Sequence, residues 1–395
     1  MVLCPSGYII AREGMARILV PDPKKYLRED GRLEPAWAPV FYNPEMTDNR
    51  TLTVTSIIAY EKVFGTRLKM FAEPLAGIGV RSIRVLLETK GLVERAFACD
   101  VNPLAVHLCR LNKLLNNISE NLVVECSDAN TFLLKLDSDC VPVDVVDIDP
   151  FGSPIYHVQP SVKVLAMGGL LIATATDLGV LEGKYPEVCL RRYGARIRRT
   201  IFCKELGSRV LIGSIARQAA MLDRGIKPLF VMYDRHYLKV VVEVVHSKAA
   251  ANKTMSSIGF YAVSRTGDYA ETLHYEELSL NNRVSDKVII GPLWIGPLWD
   301  KTFVEELAKQ ADGLSSRRKK ILEVIVRESL VESPVYYRVD KIFSKISPRI
   351  PPMKKIIEII EKEGHRASRT HFDPMGIRTT MSYKELFDLL SRAFS

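Results

Sequence analysis

Glu73-Pro74-Leu75-Ala76-Gly77-Ile78-Gly79-Val80-Arg81 joins an acidic residue at the end of an apolar run to a two-glycine turn and the start of a helical period. Such a turn lets backbone approach a ligand closely, because glycine has no Cβ and tolerates positive φ. Outward from it, short β-rich runs alternate with helical periodicity between about residues 68 and 245, with strands expected at 69–73, 95–100, 122–126, 143–149 and 170–176. That alternation predicts an α/β domain with a mostly parallel sheet.

Beyond the fifth strand, residues 183–224 read as mainly helical, and 228–233 followed closely by 237–245 predicts an antiparallel hairpin around Asp234-Arg235-His236. Five parallel strands ending in a hairpin is the order expected of a class I methyltransferase (Rossmann-like) sheet. A dehydrogenase sheet would more often continue with another strand-helix unit. Residues 246–300 are poor in pattern, and the glycines and prolines of Gly291 to Trp299 mark a domain junction or an ordered loop. From about Lys301, helical stretches at 314–330, 337–345 and 351–363 precede a β-like segment at 367–380 with a turn at Asp373-Pro374-Met375-Gly376. Three helices and a ribbon resemble a winged-helix module. The expected division is a catalytic domain with an amino-terminal extension at 1–245 and a smaller α+β domain at 246–395.

A chain of 395 residues, 47% of them hydrophobic, exceeds one typical domain and fits two. Arg12, Glu13, Arg17 and Asp22 interrupt the first segment, which fits neither a signal nor a transit peptide. The apolar stretch 164–175 is too short to span a bilayer and contains Gly168-Gly169, so it predicts a buried strand preceded by a turn. Seven cysteines without a CxxC pair or zinc-type spacing point to a reducing cytoplasm and no metal. The net charge is +9, and residues 314–395 hold 17 Lys+Arg against 10 Asp+Glu, so most of the excess lies at the carboxyl-terminal end. An anionic partner follows.

Asp100 closes the second strand about twenty residues after the glycine turn, where its carboxylate suits a ribose diol. The third strand ends in Ser127-Asp128-Ala129, where a carboxylate and a neighbouring backbone amide can read an adenine edge. Three acidic strand ends favour a nucleoside cofactor without a pyrophosphate. Arg81 and Ser82 stand where a GxGxxG turn would carry its third glycine, which argues against a dinucleotide. The fourth strand ends in Asp147-Ile148-Asp149-Pro150-Phe151-Gly152-Ser153-Pro154, at the ligand edge of such a sheet. An exocyclic amine is a poor nucleophile because its lone pair is delocalised into the ring. A carboxylate that accepts its N–H and then its proton restores reactivity, and an adjacent aromatic ring can stack on an extruded base.

Taken together, these segments closely resemble the tRNA (guanine-26-N2)-dimethyltransferases, particularly their archaeal members. The resemblance extends over nearly the whole chain. It rests on Phe41-Tyr42-Asn43-Pro44 with Asn49-Arg50, Gly79 to Arg84, Asp128-Ala129-Asn130, Asp147 to Pro154, Ala175-Thr176-Asp177, Gly291 to Leu298, and Arg369 to Thr379. It implies S-adenosylmethionine as cofactor, held by Arg50, Arg81, Asp100, Asp128 and Ala129, with Gly77 in the cofactor turn. It also implies Asp149 as the catalytic acceptor and Phe41 and Phe151 as the rings that clamp the target guanine. Glu73 and Pro74 stand where many relatives have an aspartate and a small residue, and the zinc-binding insert of some relatives has no counterpart.

Basic clusters to grip tRNA phosphates are present at Arg191-Arg192 with Arg196, Arg198 and Arg199, and at Arg317-Arg318-Lys319-Lys320, Arg349, Lys354-Lys355, Arg366 and Arg369. A winged-helix regulator whose α/β domain senses a ligand is the reading from another class, and it has no use for a proton acceptor at Asp149. A nicotinamide oxidoreductase is disfavoured by the broken glycine pattern and the basic tail. A methyltransferase on DNA or ribosomal RNA is opposed by the resemblance alone.

Overall fold

The computed structural model describes residues 5–278 and 286–394. A hairpin of β1 (Tyr8–Glu13) and β2 (Ala16–Pro21) comes first. The free edge of β2 is completed by side chains: Asn112 and Asn116, one turn apart on α3 (Pro103–Leu115) and its cap, exchange hydrogen bonds with the backbones of Leu19 and Arg17. Next, α1 (Thr47–Phe64) is buried on all sides from Asn49 to Tyr60. Asn49, Arg50 and Thr53 are satisfied there by the sheet and its neighbours, and Thr51 and Thr55 bond carbonyls of their own helix.

The central sheet has the order β5-β4-β3-β6-β7-β9-β8. The parallel strands are β3 (Met70–Glu73), β4 (Arg95–Asp100), β5 (Leu122–Cys126), β6 (Val143–Ile148) and β7 (Leu165–Ala175). They are linked through α2 (Val80–Glu88), α3, α4 (Ala129–Ser138) and α5 (Ile155–Val164). The antiparallel hairpin of β8 (Arg224–Tyr233) and β9 (Leu238–His246) closes one side, with β9 beside β7. Strand order reverses between β3 and β6, which opens a crevice at their carboxyl ends.

The sheet matches the expected strand order with one difference. Gly168-Gly169 do not form a turn ahead of the last parallel strand. They lie inside β7, in a bulge where the register with β6 jumps from Val143–Leu165 to Val145–Leu170. The helical region at 183–224 resolves into α6 (Leu178–Leu181), α7 (Pro186–Tyr193) and α8 (Cys203–Ala220), and Arg196 in the gap between the last two pairs with Gly291.

Residues 246–300 hold more structure than their pattern suggests: α9 (Lys248–Ser256), β10 (Ile258–Val263), β11 (Ala270–Leu273), α10 (Tyr275–Leu278) and β12 (Val288–Trp294). The three strands form an antiparallel sheet, and Gly213 of α8 lies so close to Leu293 of β12 that a Cβ there would sit 2.9 Å away. Gly291-Pro292 hid β12, since that pair inside a run reads as a loop. The segment beyond it is pinned by the Trp294 indole, which donates to the Pro297 carbonyl at 2.8 Å, and by the Trp299 indole, which donates to Val231 at 2.9 Å.

The chain ends with α11 (Lys301–Lys309), α12 (Ser316–Glu328), β13 (Tyr337–Arg338), α13 (Val339–Phe343), α14 (Met353–Lys362), β14 (Ala367–Arg369), β15 (Gly376–Thr379) and α15 (Tyr383–Phe394). The ribbon at 367–380 is there, but Tyr337 and Arg338 are a strand beside β15 and not the start of a helix. A second apolar core, built on Ile342, Phe343, Ile356, Ile377 and Leu386, lies in this terminal unit. No helix among the described residues is long and apolar enough to cross a membrane.

A buried ionic cluster joins the two parts. Arg378 of β15 pairs with Glu205 of α8 at 2.5 Å and with Glu328 of α12 at 3.1 Å. His371 donates through Nδ1 to Glu328 at 2.8 Å and accepts the Tyr233 N–H at Nε2 at 3.1 Å, so its ring is the neutral Nδ1–H tautomer. Thr370 also donates to Glu328. Replacing Glu328 takes one of two buried carboxylates from Arg378 and leaves the His371 and Thr370 donors without their acceptor in a site with almost no solvent. Glu328→Ala is therefore expected to cost about 3–5 kcal/mol, read as a lower urea midpoint than that of the parent protein.

Candidate active site

The crevice at the carboxyl ends of β3 and β6 is a cavity of about 480 Å³, a size suited to a nucleoside-sized ligand. Phe41, Arg50, Gly77, Arg81, Asp100, Asp128, Ala129, Asp149 and Phe151 all contribute to its wall. Residues expected from five separate stretches of sequence thus meet in one place.

Gly77 and Gly79 both have positive φ, at 53° and 79°. Gly79 also has no room for a side chain, since a Cβ would lie 2.3 Å from the Cys109 sulfur. A Cβ at Gly77 would project into the open space beneath the Phe41 carbonyl, 3.7 Å away, so the bare backbone there forms a cradle. The Gly77 N–H donates to Asp100 Oδ2 at 2.8 Å and the Asn102 N–H donates to Oδ1 at 2.9 Å, which fixes the Asp100 carboxylate at the rim. Asp128 caps α4: its Oδ1 accepts from Asn130 and Thr131, both at 3.0 Å. The Thr131 N–H, and then that of Asn130, hold its carboxyl below the usual aspartate range. The other oxygen of Asp128 accepts nothing from the described residues, and the N–H of Ala129, in the first turn of α4, has no intrahelical acceptor. That acceptor and donor, side by side, suit an adenine edge. The donor set therefore fits a nucleoside with a ribose diol.

Behind β6 lies a dense polar cluster. Arg81 is 3% exposed, and its guanidinium donates to Glu73 at 3.1 Å, Asn49 at 2.9 Å, Thr53 at 2.8 Å and Asp147 at 3.0 Å. Its remaining nitrogen binds Asp149 Oδ2. Burial pushes the Glu73 carboxyl up to about 7, with Arg81 and Ser82 pulling the other way. Glu73 is thus an internal anchor for Arg81 and for the first turn of α2, where it accepts from the Ser82 N–H and hydroxyl. Lys239 of β9 has no exposed surface and donates to Asn49 and Thr53, both at 3.1 Å, with Asp147 at 3.5 Å. Burial pulls its ammonium down to about 8 against the attraction of Asp147.

Arg50 also turns its charge inward. It pairs with Glu13 through two bonds of 2.6 and 2.7 Å and donates to the Asn43 carbonyl, while Arg84 and Tyr42 bind the same Glu13. Burial alone would raise Glu13, but Arg50 and Arg84 hold it below the usual carboxylate range. Arg50 and Arg81 both border the cavity, yet their main partners are carboxylates of the protein.

The loop after β6 is tied down by Thr176, whose hydroxyl accepts the Gly152 N–H at 2.7 Å and whose N–H donates to the Gly152 carbonyl at 2.8 Å. This leaves Phe151 78% exposed, with Phe41 38% exposed beside it. The two rings touch edge to face, centroids 4.7 Å apart, so a base does not fit between them until one moves. Asp177 of the Ala175-Thr176-Asp177 motif faces away from the cavity and holds Tyr193 at 2.8 Å and Arg192 at 3.2 Å.

Asp147, Lys239, Asn49, Thr53 and Glu13 belong to this site although sequence reasoning assigned them no role. A signal for one of them was present: Leu238-Lys239-Val240-Val241-Val242 sets a lone lysine in an otherwise apolar strand. Among the described residues no group of three or more His, Cys, Asp or Glu is placed to hold a metal ion.

The model of the family described as N2,N2-dimethylguanosine tRNA methyltransferase matches residues 14–391. The tRNA (guanine(26)-N(2))-dimethyltransferase of Saccharolobus solfataricus is 37% identical over 382 residues, covering 95% of this chain and 96% of that protein. The enzyme of the same name from Pyrobaculum islandicum is 34% identical over 384 residues, covering 97% and 99%. Among solved structures, Trm1 from Pyrococcus horikoshii in complex with S-adenosyl-L-methionine superposes with a TM-score of 0.82 at 29% identity, over 96% of this chain and 99% of that one.

Lys239 lends itself to a direct measurement. Its folded-state value of about 8 lies below the 10.5 of an unperturbed lysine. Between those values the unfolded chain holds more protons than the folded one, so this group's contribution to stability grows as pH rises through that window. Relative to Lys239→Met, the parent protein is expected to gain stability from pH 8 to pH 10, as followed by denaturant midpoints. A difference that stays flat or shrinks would show that the lysine is not held in this environment.

Proposed function

Because the chain belongs to the N2,N2-dimethylguanosine tRNA methyltransferase family, we propose that Asp149 is the proton acceptor and Phe41 and Phe151 the base clamp of its reaction. The enzyme transfers methyl groups from S-adenosylmethionine to the N2 amine of guanine 26 in tRNA. The observation that carries the residue assignment is the placement of Asp149. It sits at the strand-order reversal, with one oxygen bound by Arg81 and the other without a partner among the described residues, in the same cavity as Asp100, Asp128 and Ala129.

S-adenosylmethionine, when bound, supplies an electrophilic methyl group. On this reading Asp100 takes its ribose hydroxyls, Asp128 and the Ala129 N–H take its adenine edge, and the bare backbone at Gly77 leaves room for its chain, with Arg50 and Arg81 forming the inner wall. The guanine leaves its stack at a cost of a few kcal/mol, which stacking on Phe151 and Phe41 offsets. The free oxygen of Asp149 accepts an N–H of the exocyclic amine and turns the nitrogen lone pair toward the methyl. As the methyl would pass to the nitrogen, its bond to the sulfonium sulfur would break and the nitrogen would become cationic, and the amine proton would pass to the same Asp149 oxygen. A second transfer needs the monomethylated amine to rotate its remaining N–H toward Asp149.

Arg81 prevents the carboxylate from rotating away, because its own position is set by four further hydrogen bonds. We assign the transfer chemistry to residues 1–245 and much of the grip on tRNA to residues 246–395, where much of the excess positive charge lies. The cytoplasm is the compartment this reading calls for, a view supported by the six described cysteines, all unpaired.

Asp149→Asn keeps the shape and the Arg81 contact but removes the base. It is expected to lower single-turnover methyl transfer by about 10²–10⁴-fold while S-adenosylmethionine and tRNA affinities stay near those of the parent enzyme. Loss of cofactor binding instead would move Asp149 out of the acceptor role. Phe151→Ala removes a stacking face of about 1–3 kcal/mol, and kcat/KM for tRNA is expected to fall tenfold or more without change in cofactor affinity. Digestion of labelled tRNA to nucleosides reads both variants and identifies the product.

A further inference from the structure

A second cavity, about 550 Å³, opens where α8, the β10–β12 sheet and the terminal unit meet. Six cations from separate segments border it: Arg198 and Arg199 before α8, Lys204 in its first turn, Arg265 between β10 and β11, Arg338 of β13 and Lys341 of α13. The two carboxylates among its lining residues are both occupied. Glu182 accepts from the Tyr233 hydroxyl, and Asp373 lies 3.8 Å from Arg338. Arg338 is further neutralised by Asp340 at 2.7 Å and Arg265 by Asp286 at 2.6 Å. Arg198, Arg199, Lys204 and Lys341 have no carboxylate within ion-pair distance among the described residues.

This excess is unusual for a cleft that the protein could have lined with balanced charge. Unpaired cations gathered from distant segments repel one another, and a polyanion relieves that repulsion. The place of the cleft says which polyanion. Short stretches of chain connect the two: Thr176 in the wall of the first cavity leads through α6 to Glu182 in the wall of the second, and His236 of the first lies three residues from Tyr233, which Glu182 holds. Tyr233 marks the border, its hydroxyl held by Glu182 and its ring 5.3 Å from the Lys204 ammonium. An anion in the cleft is therefore only a few residues of chain away from the wall of the transfer cavity.

We propose that this cleft binds the phosphodiester backbone of the tRNA strand next to the target guanine, an inference that rests on the reading of tRNA as substrate. The cleft then does two things. It supplies salt-dependent affinity, and it holds the strand on one side of the extruded nucleotide.

The test compares the parent enzyme with Arg198→Ala/Arg199→Ala and with Lys341→Ala, all exposed positions. A control, Lys69→Ala/Arg95→Ala, removes two charges at the opposite edge of the sheet. tRNA affinity is measured from low to moderate salt, together with S-adenosylmethionine affinity and the single-turnover rate at saturating tRNA. The Arg198/Arg199 variant is expected to bind tRNA at least tenfold more weakly. Its slope of log affinity against log salt is expected to flatten by about 0.7–0.9 for each phosphate that is no longer neutralised. Cofactor affinity and the saturating rate stay within twofold. If it binds tRNA like the control variant, the cleft does not hold the RNA. If inorganic pyrophosphate binding disappears while tRNA affinity is kept, the cleft is a small-anion site and the proposal fails. Failure of the underlying reading is separately visible, since the parent enzyme would then transfer no label to tRNA.

Discussion

A guanidinium with almost no access to water lies under the end of β6, and the rest of the site is organised by what that charge requires. Removing an arginine from water costs several kcal/mol unless carboxylates and further hydrogen bonds replace the solvent. Arg81 obtains them from β3, α1, β6 and the loop beyond it, and Lys239 from β9 completes the polar group. No single element could do this. The cluster forms only when the parallel sheet, the buried helix α1 and the antiparallel hairpin are all in place, so the position of Asp149 depends on complete folding. It also explains why Asn49 and Thr53 tolerate a helix with no exposed face.

A similar cluster recurs between the sheet and the terminal unit, where Glu205, Arg378, Glu328 and His371 replace solvent for one another. The segment Arg369 to Thr379 supplies two of these groups, and through His371 it reaches the backbone of Tyr233. Its chemistry is that of a docking device. The terminal unit is thereby held in one orientation relative to the carboxyl edge of the sheet, which matters for an enzyme whose substrate is large and rigid.

The parts of this protein that can be read from the chain alone are those whose meaning is local. Gly77, Asp100, Asp128 and Asp149 each end a strand or fill a turn, and the spacing of the strands orders them along one edge. The sheet order and the hairpin follow in the same way. Asp147, Lys239 and Glu13 were hidden because their partners are distant in sequence: Lys239 meets Asn49 across 190 residues. Arg50 and Arg81 were recognised as important, but a sequence does not tell an arginine that faces a ligand from one that faces a carboxylate. β12 and β13 escaped for a different reason. One contains Gly291-Pro292, and the other is two residues long, too short for periodicity to register.

The edge-to-face packing of Phe41 on Phe151 sets two partly exposed rings against each other at the rim of the cavity. On the proposed clamp role, a purine that parts them gives each a new face to rest on. Admission is then an exchange among rings, in which a guest with a broad flat face replaces the packing it disrupts and a solitary water molecule has nothing comparable to offer.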